Sequence, residues 1–366
     1  MVKVGILSMQ RIFNYGSFLQ AYALKSIIEE LGAKAEFVDY RPGECLVRSD
    51  GGKTRKLRKA VEILKGKAPF REKLRFIRYK KNYAKNYYGF LGLTSEYNFA
   101  PDTDLLIIGS DEVFNCVQDN VNVGFTPELF GEGIEAKRKI SYAASFGNTT
   151  LDKLEQYKVA DKISSWLGRL DAISVRDRNS SDIVNKLTGI KPVVNLDPVL
   201  MYDFEKNGCI PEIHTKEKYI VLYGYSNRFT AEECSRIRSY AKRKGYKIYC
   251  IGGVQSCCDA FIDCSPFEVI AYFKNAEAVI TDTFHGCILS VITHKRFTVF
   301  VRSEGYGNSE KITDLLKRLK LTDRIAGENS IEESVEYTAD YSRVDAVIKA
   351  ERQNTREFLK EQIALV

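Results

Sequence analysis

The 366-residue sequence lacks the features that would place it in a membrane or on an export route. No stretch approaches the roughly 20 consecutive apolar residues that a membrane-spanning helix needs. A strand-like segment follows Met1 directly, so no basic region with an apolar core marks a secretion signal. Nine cysteines, an odd number in a long chain, favour free thiols over a disulfide framework. We therefore expect a soluble, cytoplasmic protein, with peripheral contact at the inner face of the membrane left open.

Histidine is also scarce, because the chain contains only three. This scarcity limits where metal binding or proton transfer can occur. Four cysteines crowd one segment, but they form no C-x2-C pair and have no second histidine nearby: Cys250, Cys257, Cys258 and Cys264. We therefore predict no metal site and no bound cofactor.

Acidic residues are nearly absent from one segment of the chain, residues 53–88. This segment holds fourteen Lys or Arg against Glu62 and Glu72, whereas the whole chain has a net charge of +7. We call it the basic insertion and assign it residues 53–90. Three interpretations remain open, namely a solvated helical insertion, a contact with an anionic membrane or a diphosphate-linked acceptor, and nucleic-acid binding. Nucleic acid is the least favoured, because no recognition motif accompanies the charge.

Strand-like and helix-like segments alternate along most of the chain, which is typical of parallel α/β sheets. A chain of this length exceeds what one core usually serves, so two domains are expected. The strand-like and helix-like segments fall into two series, one in each half of the chain. The periodicity is interrupted between them by polar residues, by Asn207-Gly208 and by Pro211. We predict a Rossmann-like domain over 1–205, a second over 206–335, and a C-terminal helix within 336–366 that packs back on the first domain.

Several helix boundaries can be predicted from capping patterns. Ser17 and Gln20 match a capping box for a helix that runs from Phe18 to Leu31. The tetrapeptide at 265–268 has Pro at the first helical position and Glu at the third, which indicates another helix start. A further helix is expected over 287–293, directly after His285.

His285 is the most informative residue, because it follows the apolar run 276–280 at the point where a helix should begin. Ligands of open α/β sheets bind outside the carboxyl ends of the strands, and helix N-termini favour anions. A proton-transfer group beside such an anion site is typical of phosphate or carboxylate chemistry. The simpler interpretation is that His285 only makes a local hydrogen bond at the helix start.

Six short motifs occur in a fixed order over most of the chain. They are Asn14-Tyr15-Gly16-Ser17 with 19–24, Ile108-Gly109-Ser110-Asp111 with Asn115, 142–147, Ser174-Val175-Arg176-Asp177, Asp197-Pro198, and Thr283-Phe284-His285-Gly286. Together these motifs resemble the polysaccharide pyruvyltransferase family. Relatives more often carry Gln at 112, Trp at 114, Glu at 177 and Ser at 283. Some relatives also carry Arg at the position of Thr283, so one anion contact differs here.

The resemblance implies two Rossmann-like domains that face each other across a cleft, as in GT-B glycosyltransferases. It also implies transfer of a pyruvyl group from phosphoenolpyruvate, a co-substrate, to two hydroxyls of a saccharide as a cyclic ketal. His285 is then the general acid and base, since the pKa of a free imidazole lies close to neutral pH. Arg176 is the preferred anchor for the anionic donor, because a guanidinium binds carboxylate and phosphate in bidentate fashion. Its alternative role is an ion pair with Asp177 or Asp182.

Further contacts are expected from where other residues lie relative to the predicted strands, loops and helices. A second basic anchor is Arg302 or Lys311, with Lys311 preferred. The saccharide and donor are expected to meet eight further residues of the motifs: Asn14, Tyr15, Gly16, Gln20, Ser110, Asp111, Thr283 and Gly286. Gln20 and Asp111 could equally shape the loop, with Gln20 occupied by the capping box. Asp197-Pro198 is interpreted as a turn between the domains.

Two other functions remain open. One is a GT-B glycosyltransferase that uses a sugar nucleotide, although the spaced pair Glu328 and Glu336 lies in a polar stretch without the strand and helix that such a donor site needs. The other is a noncatalytic saccharide-binding protein that the basic insertion recruits. The acceptor in the leading hypothesis could be linked to a lipid diphosphate.

Overall fold

Two parallel β-sheets form the framework of the protein. The structure, a computed structural model, describes residues 1–47, 66–100, 102–302, 309–327, 331–336 and 339–366. Residues 53–65 of the basic insertion and Glu328 lie outside the described residues.

The first sheet contains six strands among the described residues, in the order β2-β1-β3-β4-β5-β6, and all neighbours are parallel. The strands are β1 (Lys3–Leu7), β2 (Lys34–Phe37), β3 (Leu105–Asp111), β4 (Arg138–Ala144), β5 (Ser174–Val175) and β6 (Val193–Val194). The α-helices of this half are α1 (Tyr15–Glu30), α2 (Phe70–Tyr87), α3 (Leu151–Gln156), α4 (Ala160–Leu167), α5 (Arg178–Thr188) and α6 (Pro198–Met201).

The second sheet contains five strands among the described residues, in the order β11-β10-β7-β8-β9, and is also parallel throughout. The strands are β7 (Tyr219–Tyr223), β8 (Lys247–Ile251), β9 (Ala260–Phe261), β10 (Ala278–Thr281) and β11 (Phe297–Val299). The helices are α7 (Ala231–Lys244), α8 (Pro266–Asn275), α9 (Phe284–Ile292), α10 (Ser309–Arg318), α11 (Ile331–Glu336) and α12 (Tyr341–Ala364). The predicted fold class is thus confirmed, while the division at residue 205 stays a prediction.

Burial on both faces explains why the central strands are apolar along their whole length. Every residue of β3 and of β7 is buried. Successive side chains of β3 enter different cores, because Leu105 and Ile107 join one apolar cluster and Leu106 and Ile108 join another. Helices therefore cover both faces of the first sheet.

The strand order creates one crevice at the carboxyl end of each sheet. In the first sheet, β2 lies on one side of β1 and β3 lies on the other, so the strand order reverses between β1 and β3. In the second sheet, β8 and β10 lie on opposite sides of β7, so the order reverses between β7 and β10. Ligands of open α/β sheets bind at such reversal points, since the connections leave in opposite directions and open a gap. The loops after β1 and β3, and those after β7 and β10, therefore hold the residues of interest.

Two predicted helix starts need correction. Helix α1 begins at Tyr15, because the side chain of Asn14 accepts a hydrogen bond from the amide of Gly16 and caps the helix three residues earlier than predicted. The predicted capping box of Ser17 and Gln20 is therefore wrong. Helix α9 begins at Phe284, capped by Thr283, so His285 lies in the first helical turn.

The C-terminal helix α12 packs on the first domain, as predicted. Arg138 of β4 donates to the Gln362 side chain at 2.9 and 3.1 Å, and the hydroxyl of Tyr142 lies 3.3 Å from that of Thr355. Its first turn contacts the second domain, where the hydroxyl of Tyr341 donates to the carbonyl of Lys295. No helix of the described residues is long and apolar enough to cross a bilayer.

Helix α2 connects the two sheets, although it lies between β2 and β3 in sequence. The ring of Tyr79 packs against Tyr15 of α1 at 5.5 Å between centroids, and Phe76 packs against Phe261 of β9 at 5.3 Å. The aromatic residues that alternate with basic ones in the sequence are thus buried, and they join the domains.

Candidate functional site

His285 is held where the first and second domains meet. A Cβ atom built on Gly16 of α1 would lie 2.2 Å from Cγ of His285, so only glycine allows the imidazole this position. The side chain is 12% exposed, and its Nε2 has no hydrogen-bond partner among the described residues. The simpler interpretation, that His285 only makes a local hydrogen bond at the helix start, is thus not supported for Nε2.

Arg176 approaches the same point from the first domain. Its side chain is 1% exposed, and its guanidinium lies 2.8 Å from Oδ2 of Asp197 and 3.1 Å from Oδ1 of Asp111. It also stacks at 4.5 Å on the ring of Phe284, the neighbour of His285. The structure therefore brings the two predicted catalytic residues together, from different domains.

The alternative partners predicted for Arg176 are wrong. Asp177 caps helix α5 by accepting from the amide of Ser180, and it also accepts from the hydroxyl of Ser145. Asp182 is paired with Arg178 on the surface. Both carboxylates are therefore engaged elsewhere.

Asp197 is the residue whose importance the sequence interpretation missed. Its Oδ1 accepts from the amide of Val199 at 3.0 Å, which caps α6 and matches the predicted turn. Its Oδ2, however, faces Arg176 and lies 3.7 Å from Nε2 of His285, too far for a hydrogen bond. The carboxylate is fully buried and so links the imidazole to the guanidinium by charge. The sequence signal for this role was the position of Asp197 after β6, on the same rim as Arg176.

The loop after β3 supplies the other carboxylate of this cluster. Asp111 has a positive φ of 70°, and its Oδ2 accepts from the hydroxyl of Ser17 at 2.7 Å. Ser110 is buried, with its hydroxyl 3.1 Å from the carbonyl of Ala143 and 3.4 Å from Oδ2 of Asp197. Both predicted residues therefore belong to the cluster around Arg176.

The loop after β1 forms the rim of the site. The Nδ2 of Asn14 donates to the hydroxyl of Tyr225, in the loop after β7, at 2.6 Å. The ring of Tyr225 is 50% exposed, and no sequence motif pointed to it. This hydrogen bond spans the two domains at the mouth of the site.

Some predicted binding residues lie inside the protein. Tyr15 is buried and donates to the carbonyl of Cys264 across the domains. Gln20 is buried and its Nε2 donates to the hydroxyl of Ser8 and the carbonyl of Ser17, both at 2.9 Å. In this structure these two side chains shape the loop and do not reach the rim.

Thr283 and Gly286 build the start of α9. The hydroxyl of Thr283 accepts from the amide of Gly286 at 3.0 Å. A Cβ on Gly286 would lie 2.0 Å from Oγ1 of Thr281, so a larger residue would displace the helix start. These residues therefore fix where His285 projects.

The structure separates the two candidates for the second basic anchor. Arg302 is paired with both carboxylate oxygens of Glu233, at 2.5 and 3.0 Å, and with Asp282 at 3.4 Å, all within the second domain. Lys311 is 5% exposed and forms an ion pair with Glu112 of the first domain, the neighbour of Asp111. Only Lys311 of these two thus reaches the cluster around Arg176.

The charges of the cluster stabilise each other. Burial opposes ionisation of Asp197, but His285 and Arg176 outweigh it and lower its pKa. Desolvation likewise opposes ionisation of Asp111, and Arg176 and His285 lower its pKa. For Glu112 the desolvation effect is outweighed by Lys311, which lowers the pKa. An anionic ligand must therefore compete with these carboxylates for Arg176 and Lys311.

No metal-binding group is formed by the described residues, in that no three His, Cys, Asp or Glu side chains are arranged to hold an ion. All nine cysteines are free thiols.

Comparison with known proteins identifies a family. The model of a family described as polysaccharide pyruvyl transferase matches residues 14–304, which confirms the resemblance seen in the six motifs. A search of curated proteins finds no match.

Solved structures to which this chain is similar include a glycotransferase of kitacinnamycin, with 9% identity, 98% of each chain covered and a TM-score of 0.47. A Staphylococcus aureus MnaA-UDP structure has 9% identity, coverage of 99% of this chain and 94% of that one, and a TM-score of 0.48. Acinetobacter baumannii MurG has 10% identity, full coverage of both chains and a TM-score of 0.39.

The ion pair of Lys311 and Glu112 predicts a specific pH dependence. Because the pKa of Glu112 is lowered from 4.5, its contribution to stability is present above pH 4.5 and is lost as the pH falls through the lowered value. In Lys311→Met, the desolvation that remains raises this pKa, so the loss of stability is largest at pH 7 and shrinks towards pH 5. Since Glu112 is 35% exposed, we expect a loss of about 1 to 2 kcal/mol at pH 7.

Urea unfolding at several pH values from about 4 to about 7 measures this difference, because the loss in the variant shrinks as its carboxylate takes up a proton, while the carboxylate of the parent stays ionised down to pH 4.5. Lys317→Met, on the exposed face of the same helix, is the control and should change little at any pH. Equal losses in the two variants, with the same pH dependence, would contradict the assignment.

Proposed function

We propose that this chain, which belongs to the polysaccharide pyruvyl transferase family, transfers a pyruvyl group from phosphoenolpyruvate to a sugar of a polysaccharide precursor as a cyclic ketal and releases phosphate. The observation that carries the proposal is the meeting of His285 and Arg176 at Asp197, from two different domains. A proton-transfer group and an anion-binding group at one point are what this reaction requires.

The reaction can be written with every proton accounted for. A proton is added to the methylene carbon of phosphoenolpyruvate, and the adjacent carbon becomes an oxocarbenium-like centre. One sugar hydroxyl attacks this carbon and loses its proton, and the carbon–oxygen bond to phosphate breaks. The second hydroxyl then closes the ring and loses its proton, so that one of the two released protons replaces the first and the other leaves with phosphate.

His285 is the group that moves these protons in the proposal. Its Nε2 makes no hydrogen bond within the described residues, so the nitrogen is available to a substrate if the site opens. Asp197, 3.7 Å away, is a positioning residue, because its negative charge faces the imidazole and can orient the ring. General acid–base catalysis of this kind contributes about 10² to 10⁴-fold to rate.

Lys311 and Arg176 are proposed to hold the carboxylate and phosphate of the donor. Both cations are now bound to carboxylates, Lys311 to Glu112 and Arg176 to Asp111 and Asp197. Three carboxylates against two basic side chains would repel a donor that simply entered between them. Donor binding therefore has to exchange at least one of these ion pairs, and the partly exposed pair of Lys311 and Glu112 is the easier one to open.

The rim formed by Asn14 and Tyr225 is proposed to meet the saccharide. The amide of Asn14 can donate to and accept from sugar hydroxyls. The half-exposed ring of Tyr225 offers an apolar face together with a hydroxyl. An acceptor held here would lie beside His285, since Gly16, against which the imidazole packs, is two residues from Asn14.

Substitution of His285 tests the proposed reaction. We expect His285→Gln to lower phosphate release from phosphoenolpyruvate by about 10² to 10⁴-fold, because the proton donor is lost. The assay measures released phosphate with a panel of nucleotide-linked and lipid-linked saccharides. His294→Gln is the control, because His294 lies at the other end of α9, half-exposed and paired with Asp345. If no acceptor is modified, or if His285→Gln behaves like the parent, the proposal fails.

Substitution of Gly16 tests the position of the imidazole. In Gly16→Ala the new methyl group would overlap Cγ and Nδ1 of His285, so the ring must move. We expect turnover to fall by about tenfold or more, in line with the sensitivity of proton transfer to misplacement. Gly89→Ala is the matched control, because nothing lies within 4 Å of the added atom. Equal turnover in both variants, with unchanged thermal unfolding, would show that the contact with Gly16 does not position His285.

The donor class can be tested separately from turnover. Phosphoenolpyruvate should raise the thermal midpoint of unfolding, since a ligand at 100 times its Kd stabilises by about 2.7 kcal/mol. Lys311→Met should reduce this shift, and UDP-sugars should produce none. Glu336, one residue of the pair expected for a sugar-nucleotide donor, is bound to Lys244 and Arg296. A shift with UDP-sugars and none with phosphoenolpyruvate would favour the glycosyltransferase.

A further inference from the structure

Helix α2 has two faces of opposite character. Its buried face carries Phe76, Tyr79, Tyr83 and Tyr87. Its exposed face carries basic residues and two apolar residues that no other side chain covers fully: Phe70, Arg71, Leu74, Arg75, Arg78, Lys81 and Lys85. From this division we infer that the exposed face of α2, residues 70–87, docks the protein on the anionic surface of a phospholipid bilayer.

The buried face attaches the helix to both domains at the mouth of the site. The hydroxyl of Tyr83 donates to the carbonyl of Asn14, and that of Tyr87 donates to the carbonyl of Cys264. The carboxylate of Glu72 accepts from the amide of Phe261 at 2.7 Å. Because these partners belong to both domains, the orientation of the exposed face is set by the folded protein and needs no partner to form.

The exposed face is positively charged, opposite in sign to anionic lipid headgroups. Its five cations point away from the buried stripe, at the spacing of one helical face. Glu72 is the sole acidic residue of the helix and is itself buried, with Arg75 at 3.3 Å. Asp263 of the second domain lies close enough to Arg75 and Arg78 to interact with them. The remaining positive charge is available to a polyanionic surface.

Phe70 and Leu74 favour a bilayer over other polyanions. They are 66% and 49% exposed, and they lie one turn apart on the same face as the cations. Apolar side chains flanked by cations are the pattern of helices that lie in the headgroup region. Single-stranded nucleic acid is instead bound by several exposed aromatic rings on which successive bases stack, and Phe70 is the one exposed aromatic residue of α2.

Docking by this face would hold the rim of the site about one helix diameter, roughly 10 Å, from the membrane surface, because Tyr83 on the opposite face of α2 touches Asn14. This part of the inference rests on the proposed function, since it explains how an acceptor carried on a lipid could reach the site. The docking itself does not rest on the proposed function, and it can be measured without any substrate.

Vesicle sedimentation of the full chain tests the docking. The probes are vesicles of phosphatidylcholine with and without about 30% phosphatidylglycerol. We expect binding to the anionic vesicles at low salt, little binding to neutral vesicles, and loss of binding at high salt. Replacing the five cations of the exposed face by Gln should weaken binding by at least about tenfold.

A charge-matched control separates docking by α2 from general attraction. It replaces five exposed lysines on other elements by Gln: Lys162, Lys186, Lys191, Lys206 and Lys216. This variant should keep most of the binding. Equal weakening in the two variants, or no weakening in the α2 variant, would overturn the inference, as would binding to single-stranded RNA with none to vesicles.

A single substitution tests the contact with the bilayer directly. Leu74→Trp adds a second tryptophan to the one in the chain, at an exposed position that should not disturb folding. Its fluorescence should shift to shorter wavelength with anionic vesicles and stay unchanged with neutral ones, since the indole would leave water. No shift while the protein is bound to vesicles would show that another surface makes the contact.

Discussion

The buried carboxylate of Asp197 is the group on which the arrangement of the site depends. Its two oxygens have different tasks, because Oδ1 caps α6 at the passage between the domains and Oδ2 faces Arg176 and His285. A fully buried carboxylate is tolerated only when it is paired and hydrogen-bonded. The same side chain therefore takes part both in the cap of α6 and in the assembly of the site.

The basic side chains of the site are paired with carboxylates of the protein, and this shapes how the site could work. Arg176 and Lys311 are both held by carboxylates of the first domain, although Lys311 comes from the second. Each pair lowers the pKa of its carboxylate despite desolvation, so the charges persist at neutral pH. A preformed arrangement of this kind fixes the basic side chains in place before a ligand arrives. An anion bound at these side chains would have to exchange for a carboxylate, and the pair of Lys311 and Glu112 joins the two domains.

The family, the fold class and the two central residues could be predicted from the sequence, because short motifs and strand–helix alternation are local signals. His285 and Arg176 each end up at the carboxyl end of a strand, where such residues meet in parallel sheets. What could not be predicted was long-range pairing. The contact of Lys311 with Glu112 joins positions almost 200 residues apart, and Tyr225 reaches Asn14 without any motif. The capping box of Ser17 and Gln20 failed because Asn14 caps the helix three residues earlier, and the hydroxyl of Ser17 instead donates to Asp111.

Helix α2 shows how composition can mislead when the faces of a helix are not separated. Its tyrosines and cations alternate in the sequence as if they formed one mixed surface, but a period of 3.6 residues places them on opposite sides. The aromatic side joins α1 and β9, so a change in the distance between the domains would have to break or carry along contacts with Tyr15 and Phe261. The cationic side belongs to the same helix. Any surface that holds the cations therefore acts on an element that contacts both domains, and it acts next to Asn14, whose carbonyl Tyr83 binds.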